Sequence, residues 1–252
     1  MAKVLNLEYL NPKTRKTTTG KMEIKNQTAK TAELYFYGDI VSSTWDAWQT
    51  EDRCPQDVAD FLNSLDGMTG IDIFINSGGG DAFAGLAMHN ILKRNSAFKT
   101  SHVDGLAASA ASLLALSGDK IIMPSGTQIM IHDPWMVAQG NAADFRRYVE
   151  FLDKMIESYA EVYTKCLVDG SNADIRAMMH EEKWMTGSEA AQIFKGIETE
   201  DTQAAACKSD FFSFYKHPDA FKNTEKPEQK PQNDENQKIE VAKAKLSLAC
   251  LL

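Results

Sequence analysis

Cysteine is scarce in this 252-residue chain, and its four copies (Cys54, Cys166, Cys207, Cys250) lie far apart with no CxxC pair. Such spacing argues against a disulfide framework or a zinc site and for reduced thiols. No metal and no cofactor is read from the sequence. Apolar residues never run on for the roughly 18 positions a membrane-spanning helix needs, and the opening MAKVLNLEYLNPKTRKTTTG has no apolar core of signal-peptide length. The expectation is a cytoplasmic protein with no membrane partner. Basic charge is in deficit, 27 Lys and Arg against 35 Asp and Glu for a net charge of −8, which disfavours nucleic acid and anionic lipid as partners. Aromatics make up only 9% of the residues, yet 43% are hydrophobic, enough for one large core plus an appendage.

Residues 1–30 read as a polar arm rich in Lys and Thr. AELYFYGDI (32–40) alternates apolar and polar residues as a strand does, and CPQDVADFLNSLDG has Pro at a first helical position with Val58, Phe61, Leu62 and Leu65 at helical spacing. Ile71–Ile75 reads as a strand running into three glycines, followed by a helix over about 82–93. FKTSHVDG is a further strand, GLAASAASLLALSG a buried helix, and KIIMPSG and TQIMIHDP a strand, a turn and a strand. A long helix is expected over Ala142–Leu167, where Phe145, Tyr148, Phe151, Leu152, Met155, Tyr159 and Val162 recur every three or four residues. Strand and helix alternate, so the domain over 31–200 is α/β with crossover connections. The tail, 201–252, turns rich in Pro and charge beyond about Lys216 and reads as partly disordered, with a short helix at the end.

Four local features carry chemistry. Asn76-Ser77-Gly78-Gly79-Gly80 joins a strand to a helix, which leaves backbone N–H groups aimed at an anion or serves only as a tight turn. No Gly-Lys-Ser/Thr follows, and the third position of a G-x-G-x-x-G fingerprint is Phe83, so nucleotide-binding loops are excluded. Ser109 stands at a helix start, where its hydroxyl either caps the first turn or acts as a nucleophile; its Ala neighbours are not those of a G-x-S-x-G elbow. His132, in IMIHDPW, closes a strand, and Glu181-Glu182 follow later in the chain. Oxyanion donors, nucleophile, base and acid are the inventory of acyl transfer. An unperturbed imidazole would give such a site a pH limb near about 6–7.

INSGGG, GLAASAA, IMIHDP and EEKWMTGSEAAQIFKG, in that order over about Ala32–Thr199, resemble the motifs of the ClpP family, the proteolytic subunits of Clp proteases. The resemblance implies a crotonase-like spiral of ββα units with a protruding handle helix, Ala142–Leu167. It implies a serine endopeptidase with Ser109 as nucleophile, His132 as base, Glu182 as acid, and the Gly80 and Ala110 amides as the oxyanion hole. It also implies a peptide or protein substrate, a homo-oligomer of heptameric rings, single or stacked, and an ATPase as a candidate partner.

Two departures stand out. Gly78 replaces the family's Pro, and Glu182 replaces its Asp. With the long tail, they resemble the ClpP-like proteases of phages and prophages, which act in head maturation on capsid or scaffold proteins. Glu181 stays open as the acid, since a strand would turn the two glutamates to opposite faces. Three other readings stay open as well: a crotonase-type acyl-CoA enzyme, a non-catalytic capsid- or scaffold-associated protein with a protease fold, and a Ser–Lys dyad using Lys120.

Overall fold

The structure, a computed structural model, describes residues 31–43, 52–65, 67–201 and 215–216 in full and the backbone of 4–10 and 17–23. All of these lie in one compact unit, Met1–Pro218. Within the stretch read as an arm, β1 (Val4–Leu10) and β2 (Thr17–Glu23) pair antiparallel. The chain then runs through β3 (Thr31–Phe36), α1 (Pro55–Ser64), β4 (Gly70–Ser77), α2 (Ala82–Arg94), β5 (Phe98–Ala108), α3 (Ala110–Ala115) and β6 (Lys120–Pro124). It continues through β7 (Gln128–Ile131), α4 (Ala142–Cys166), α5 (Asn172–Glu181), β8 (Lys183–Thr186), α6 (Gly187–Ile193) and β9 (Ile197–Glu200). The terminal helix expected near residue 252 lies outside the described residues.

The sheet follows from period-two patterning. Ala32, Leu34 and Phe36 of β3 and Ile71, Ile73 and Ile75 of β4 are buried on one face; β3 pairs in parallel register with β4, and β4 with β5. On the opposite face Tyr35, Phe74 and His102 stack ring on ring, with centroids 4.7 and 4.6 Å apart. The order is β3-β4-β5-β6-β9, all parallel, as crossover helices require. Pro55 opens α1 without losing a needed donor, and Asp57 accepts from the Cys54 amide at 2.9 Å.

One strand sets the position of everything functional. β5 pairs with β6 through Thr100–His102 and then with β7 through Leu106–Ala108. The strands β6 and β7, consecutive in sequence, each pair with β5 and not with each other, and β7 also pairs antiparallel with β8. Where β5 turns away from β4, the ladder slips between Ile75↔Val103 and Ser77↔Ala107, and Asn76 Oδ1 accepts from the Leu106 amide at 3.2 Å. The expectation of a helix beginning at Gly105 is therefore corrected: Gly105–Ala108 is strand, held by Gln128–Met130, and α3 begins only at Ala110.

The expected long helix is present as α4, 25 residues and so about 37 Å long. Its second half buries Met155, Tyr159, Ala160 and Tyr163, while Phe145, Val149 and Phe151 are exposed. Tyr159 and Tyr163 thus belong to this domain's own core.

Helices α2 and α3 meet at Gly85, where an added Cβ would lie 2.7 Å from Ala110 Cβ. Gly85→Ala is expected to destabilise by about 1–3 kcal/mol through overpacking, despite the better helix propensity of Ala. A lowered urea midpoint at unchanged slope checks it.

Candidate active site

Ser109 sits between β5 and α3 with φ 53 and ψ −124, a region that residues bearing a Cβ seldom occupy. Its amide donates to Met130 O at 2.9 Å, and its carbonyl accepts from the Ser112 amide at 2.9 Å and from Ser112 Oγ at 2.6 Å. Ser112 Oγ in turn shares a 2.7 Å hydrogen bond with Tyr163 OH on α4. So held, the Ser109 hydroxyl makes no helix cap. It lies 2.6 Å from His132 Nε2, within the reach of a nucleophile and its base.

The glycine turn is fastened beside it. Ser77 Oγ donates to Gly38 O at 2.6 Å and accepts from the Gly79 amide at 3.1 Å. Ile40 N donates to Gly79 O, and Asp81 N to Ile40 O, both at 2.8 Å. Gly79 (φ 97) and Gly80 (φ 145) need glycine: a Cβ would lie 2.9 Å from Ser109 Cβ at the first and 2.0 Å from Ile40 O at the second. Among the described residues the Gly80 and Ala110 amides donate no hydrogen bond, and Gly80, Ser109 and His132 line one cleft. Of the predicted oxyanion donors, Gly80 thus lines the cleft with Ser109, and Ala110 follows Ser109 directly in the chain.

His132 follows β7 and is 9% exposed. Burial pushes its imidazole down to about 4, against the pull of the Glu182 and Asp133 carboxylates and with help from the Lys216 cation. The neutral form, which can accept a serine proton, is therefore favoured below the ordinary imidazole range, and a pH limb set by this ring is expected below the value of about 6–7 read from the sequence. Asp133 itself accepts from His180 Nδ1 at 3.0 Å.

Of the two candidate acids, Glu181 is exposed at the end of α5, and Glu182 is 6% exposed. Glu182 is not in a strand, as the alternation argument supposed. It caps α5 in the left-handed region (φ 58, ψ 69), and β8 begins one residue later. Its Oε1 accepts from Trp184 Nε1 at 3.1 Å, and both oxygens accept from the Lys216 amide at 2.9 Å. Among the described residues no hydrogen bond joins Glu182 to His132, so its carboxylate acts on the ring through its charge.

Sequence reading missed Tyr215 and Lys216, assigning both to the tail. Tyr215 is 5% exposed; its ring stands edge-on to His132 at 5.3 Å, and its hydroxyl donates to Gly78 O. The signal available was the aromatic run Phe211-Phe212-Ser213-Phe214-Tyr215, out of place in a solvated linker.

The family model for Clp protease matches residues 48–196. The chain belongs to the Clp protease family. The ATP-dependent Clp protease proteolytic subunit of Bacteroides thetaiotaomicron is 32% identical over 138 residues, 52% of this chain and 60% of the relative. That of Ligilactobacillus salivarius is 33% identical over 136 residues, 52% of this chain and 66% of the relative. The chain thus spans under two thirds of the length of these curated relatives. Among solved structures, a ClpP1 mutant from Listeria monocytogenes superposes with a TM-score of 0.55 at 22% identity, covering 68% of this chain and 91% of the other. That likeness is one of fold, and it agrees with the ClpP-type α/β architecture expected from the sequence. The Clp protease match contains Gly80, Ser109, Ala110, His132 and Glu182 and ends before Tyr215. No described helix is long and apolar enough to cross a membrane.

The low imidazole value has a signed consequence. The unfolded chain binds this proton near pH 6.5 and the folded chain only near 4, so across that window the unfolded state holds more protons and stability falls as pH drops. NMR of the His132 ring is expected to show the neutral form from pH 8 down to about 5, with titration only below.

Proposed function

We propose that this chain is a serine endopeptidase. The observation that carries the reading is the 2.6 Å contact between His132 Nε2 and a Ser109 hydroxyl withheld from helix capping. Neutral His132 accepts the Ser109 proton as Oγ attacks a peptide carbonyl, and the oxyanion is received by the Gly80 and Ala110 amides. The imidazolium, stabilised by the buried charge of Glu182, protonates the leaving amine. Water then cleaves the acyl-enzyme through the same base. A crotonase-type acyl-CoA reading would use the two amides but gives the Ser–His contact no task.

The cleft beside these groups, about 360 Å³, has walls of Phe83, Trp135, Met136, Phe151 and Leu152. This lining suits a substrate with a large apolar side chain on the acyl side of the cut. Exposed Phe145, Val149 and Phe151 on α4 support pairing of that helix with a second copy, in line with stacked heptameric rings. An ATPase partner, a capsid or scaffold substrate, and a phage or prophage head-maturation setting are part of the same proposal. Their support is the family resemblance together with Gly78, Glu182 and the charged tail.

The test is steady-state hydrolysis of a fluorogenic peptide carrying Leu or Met before the cut. Ser109→Ala is expected to abolish turnover, whereas Ser112→Ala retains it. Glu182→Gln is expected to lose at least about tenfold more than Glu181→Gln, within the 10⁴ that a triad acid can be worth. Equal activity of Ser109→Ala and the parent contradicts the proposal.

A further inference from the structure

We infer that Tyr215 and Lys216, beyond the family-matched residues 48–196, are positioning residues that complete the active site by holding Glu182, His132 and the glycine turn in one arrangement. The inference rests on the serine-peptidase reading and assigns that site two groups from the segment after β9.

The dipeptide is built into the site by contacts of different kinds. Tyr215 belongs to a small buried cluster with Leu106, Ala108 and Met130, the strand residues that deliver Ser109 and His132. Its ring lies edge-on to His132 at 5.3 Å and to Trp184 at 5.8 Å. Its hydroxyl donates to Gly78 O, the carbonyl just before the turn that carries the Gly80 amide. Lys216 forks its backbone amide onto both Glu182 oxygens at 2.9 Å, and its Nζ donates to His180 O at 2.6 Å.

Each contact constrains a group that the chemistry needs still. A glutamate side chain has three rotatable bonds, and Glu182 has no hydrogen bond from His132 to orient it. The Lys216 amide and the Trp184 indole, both charge-assisted donors of fixed direction, do so instead. The Tyr215 ring limits rotation of the imidazole and covers one side of it. The Tyr215 hydroxyl ties down the Gly78 carbonyl, adding a hold on the near side of a turn whose Gly79 carbonyl and Gly79 amide are held by Ile40 and Ser77. The groups facing His132 are then Ser109, the Tyr215 ring, the carboxylates of Glu182 and Asp133, and the Lys216 cation.

The experiment uses the full chain, peptide hydrolysis from pH 4 to 9, and a urea midpoint for every variant. Tyr215→Phe removes only the hydroxyl. Lys216→Pro removes the donor amide together with the charge and the Nζ bond to His180 O, and fixes φ, while Lys216→Met removes the same charge and Nζ bond but keeps the amide. Tyr215→Phe and Lys216→Pro are each expected to lower kcat about tenfold, part of the 10²–10³ that deleting an oxyanion donor costs, with KM within about twofold. Lys216→Met is expected to recover most of the kcat lost in Lys216→Pro and to move the acid limb of kcat/KM upward, since one cation no longer opposes protonation of His132. A purely structural segment would shift the urea midpoint and leave that limb in place. If Lys216→Pro fails to fold, Tyr215→Phe and Lys216→Met still decide: parental kcat and parental pH limb in both overturn the inference. Faster turnover in either variant also overturns it and makes the segment an inhibitory contact. A parent chain that hydrolyses no peptide overturns the peptidase reading, and this inference with it; an active parent with unaffected variants overturns this inference alone.

Discussion

Ser109 must leave β5 with φ 53 and ψ −124, a backbone state that costs a residue with a Cβ about 1–3 kcal/mol. The surrounding structure over-determines that state. Its amide is fixed to β7 by Met130 O and its carbonyl is held by Ser112, which is tied to Tyr163. Gly79 packs so close behind that a Cβ there would meet Ala108 O at 2.7 Å. Because β5 pairs with β7 at its end, His132, one residue past β7, arrives beside the hydroxyl without any long-range coincidence. The fork of β5 between β6 and β7 and the turn at Ser109 are therefore one feature: the fork orders the strands, and the turn presents the Ser109 hydroxyl to His132 in the cleft that Gly80 also lines.

The fold was largely legible because its signals are local. Alternation in AELYFY and GIDIFIN, Pro55 at a helix start, and the repeat of α4 each depend on a few neighbouring residues. The misreadings share a physical cause. Gly105–Ala108 is apolar and small, which suits a buried helix and a buried strand equally; pairing with Gln128–Met130 decides for strand, and no local pattern reports it. The argument from alternating faces puts Glu181 and Glu182 in a strand, yet the C-terminal turn of α5 reaches Glu182 first. Its left-handed backbone is what turns the carboxylate inward while Glu181 faces solvent.

Within the site, Ser109, His132 and the glycine turn were visible as residue types in order, and the structure brings them together. The downward push of burial on the His132 imidazole was not visible, since it comes from elements distant in sequence. Nor was the part taken by Tyr215 and Lys216. Gly78 and Glu182, the two departures read from the family resemblance, both accept hydrogen bonds from this dipeptide, Gly78 from Tyr215 and Glu182 from Lys216, which also donates to His180 O.

Intact mass after treatment with a fluorophosphonate, followed by peptide mapping, tests the account most directly. A serine reacts with this reagent when a neutral base abstracts its proton and an oxyanion hole receives the phosphonyl oxygen, so the reaction needs no knowledge of the natural substrate. The account predicts one adduct per chain, on Ser109. An unmodified chain, or an adduct on Ser112 or any other residue, would contradict it.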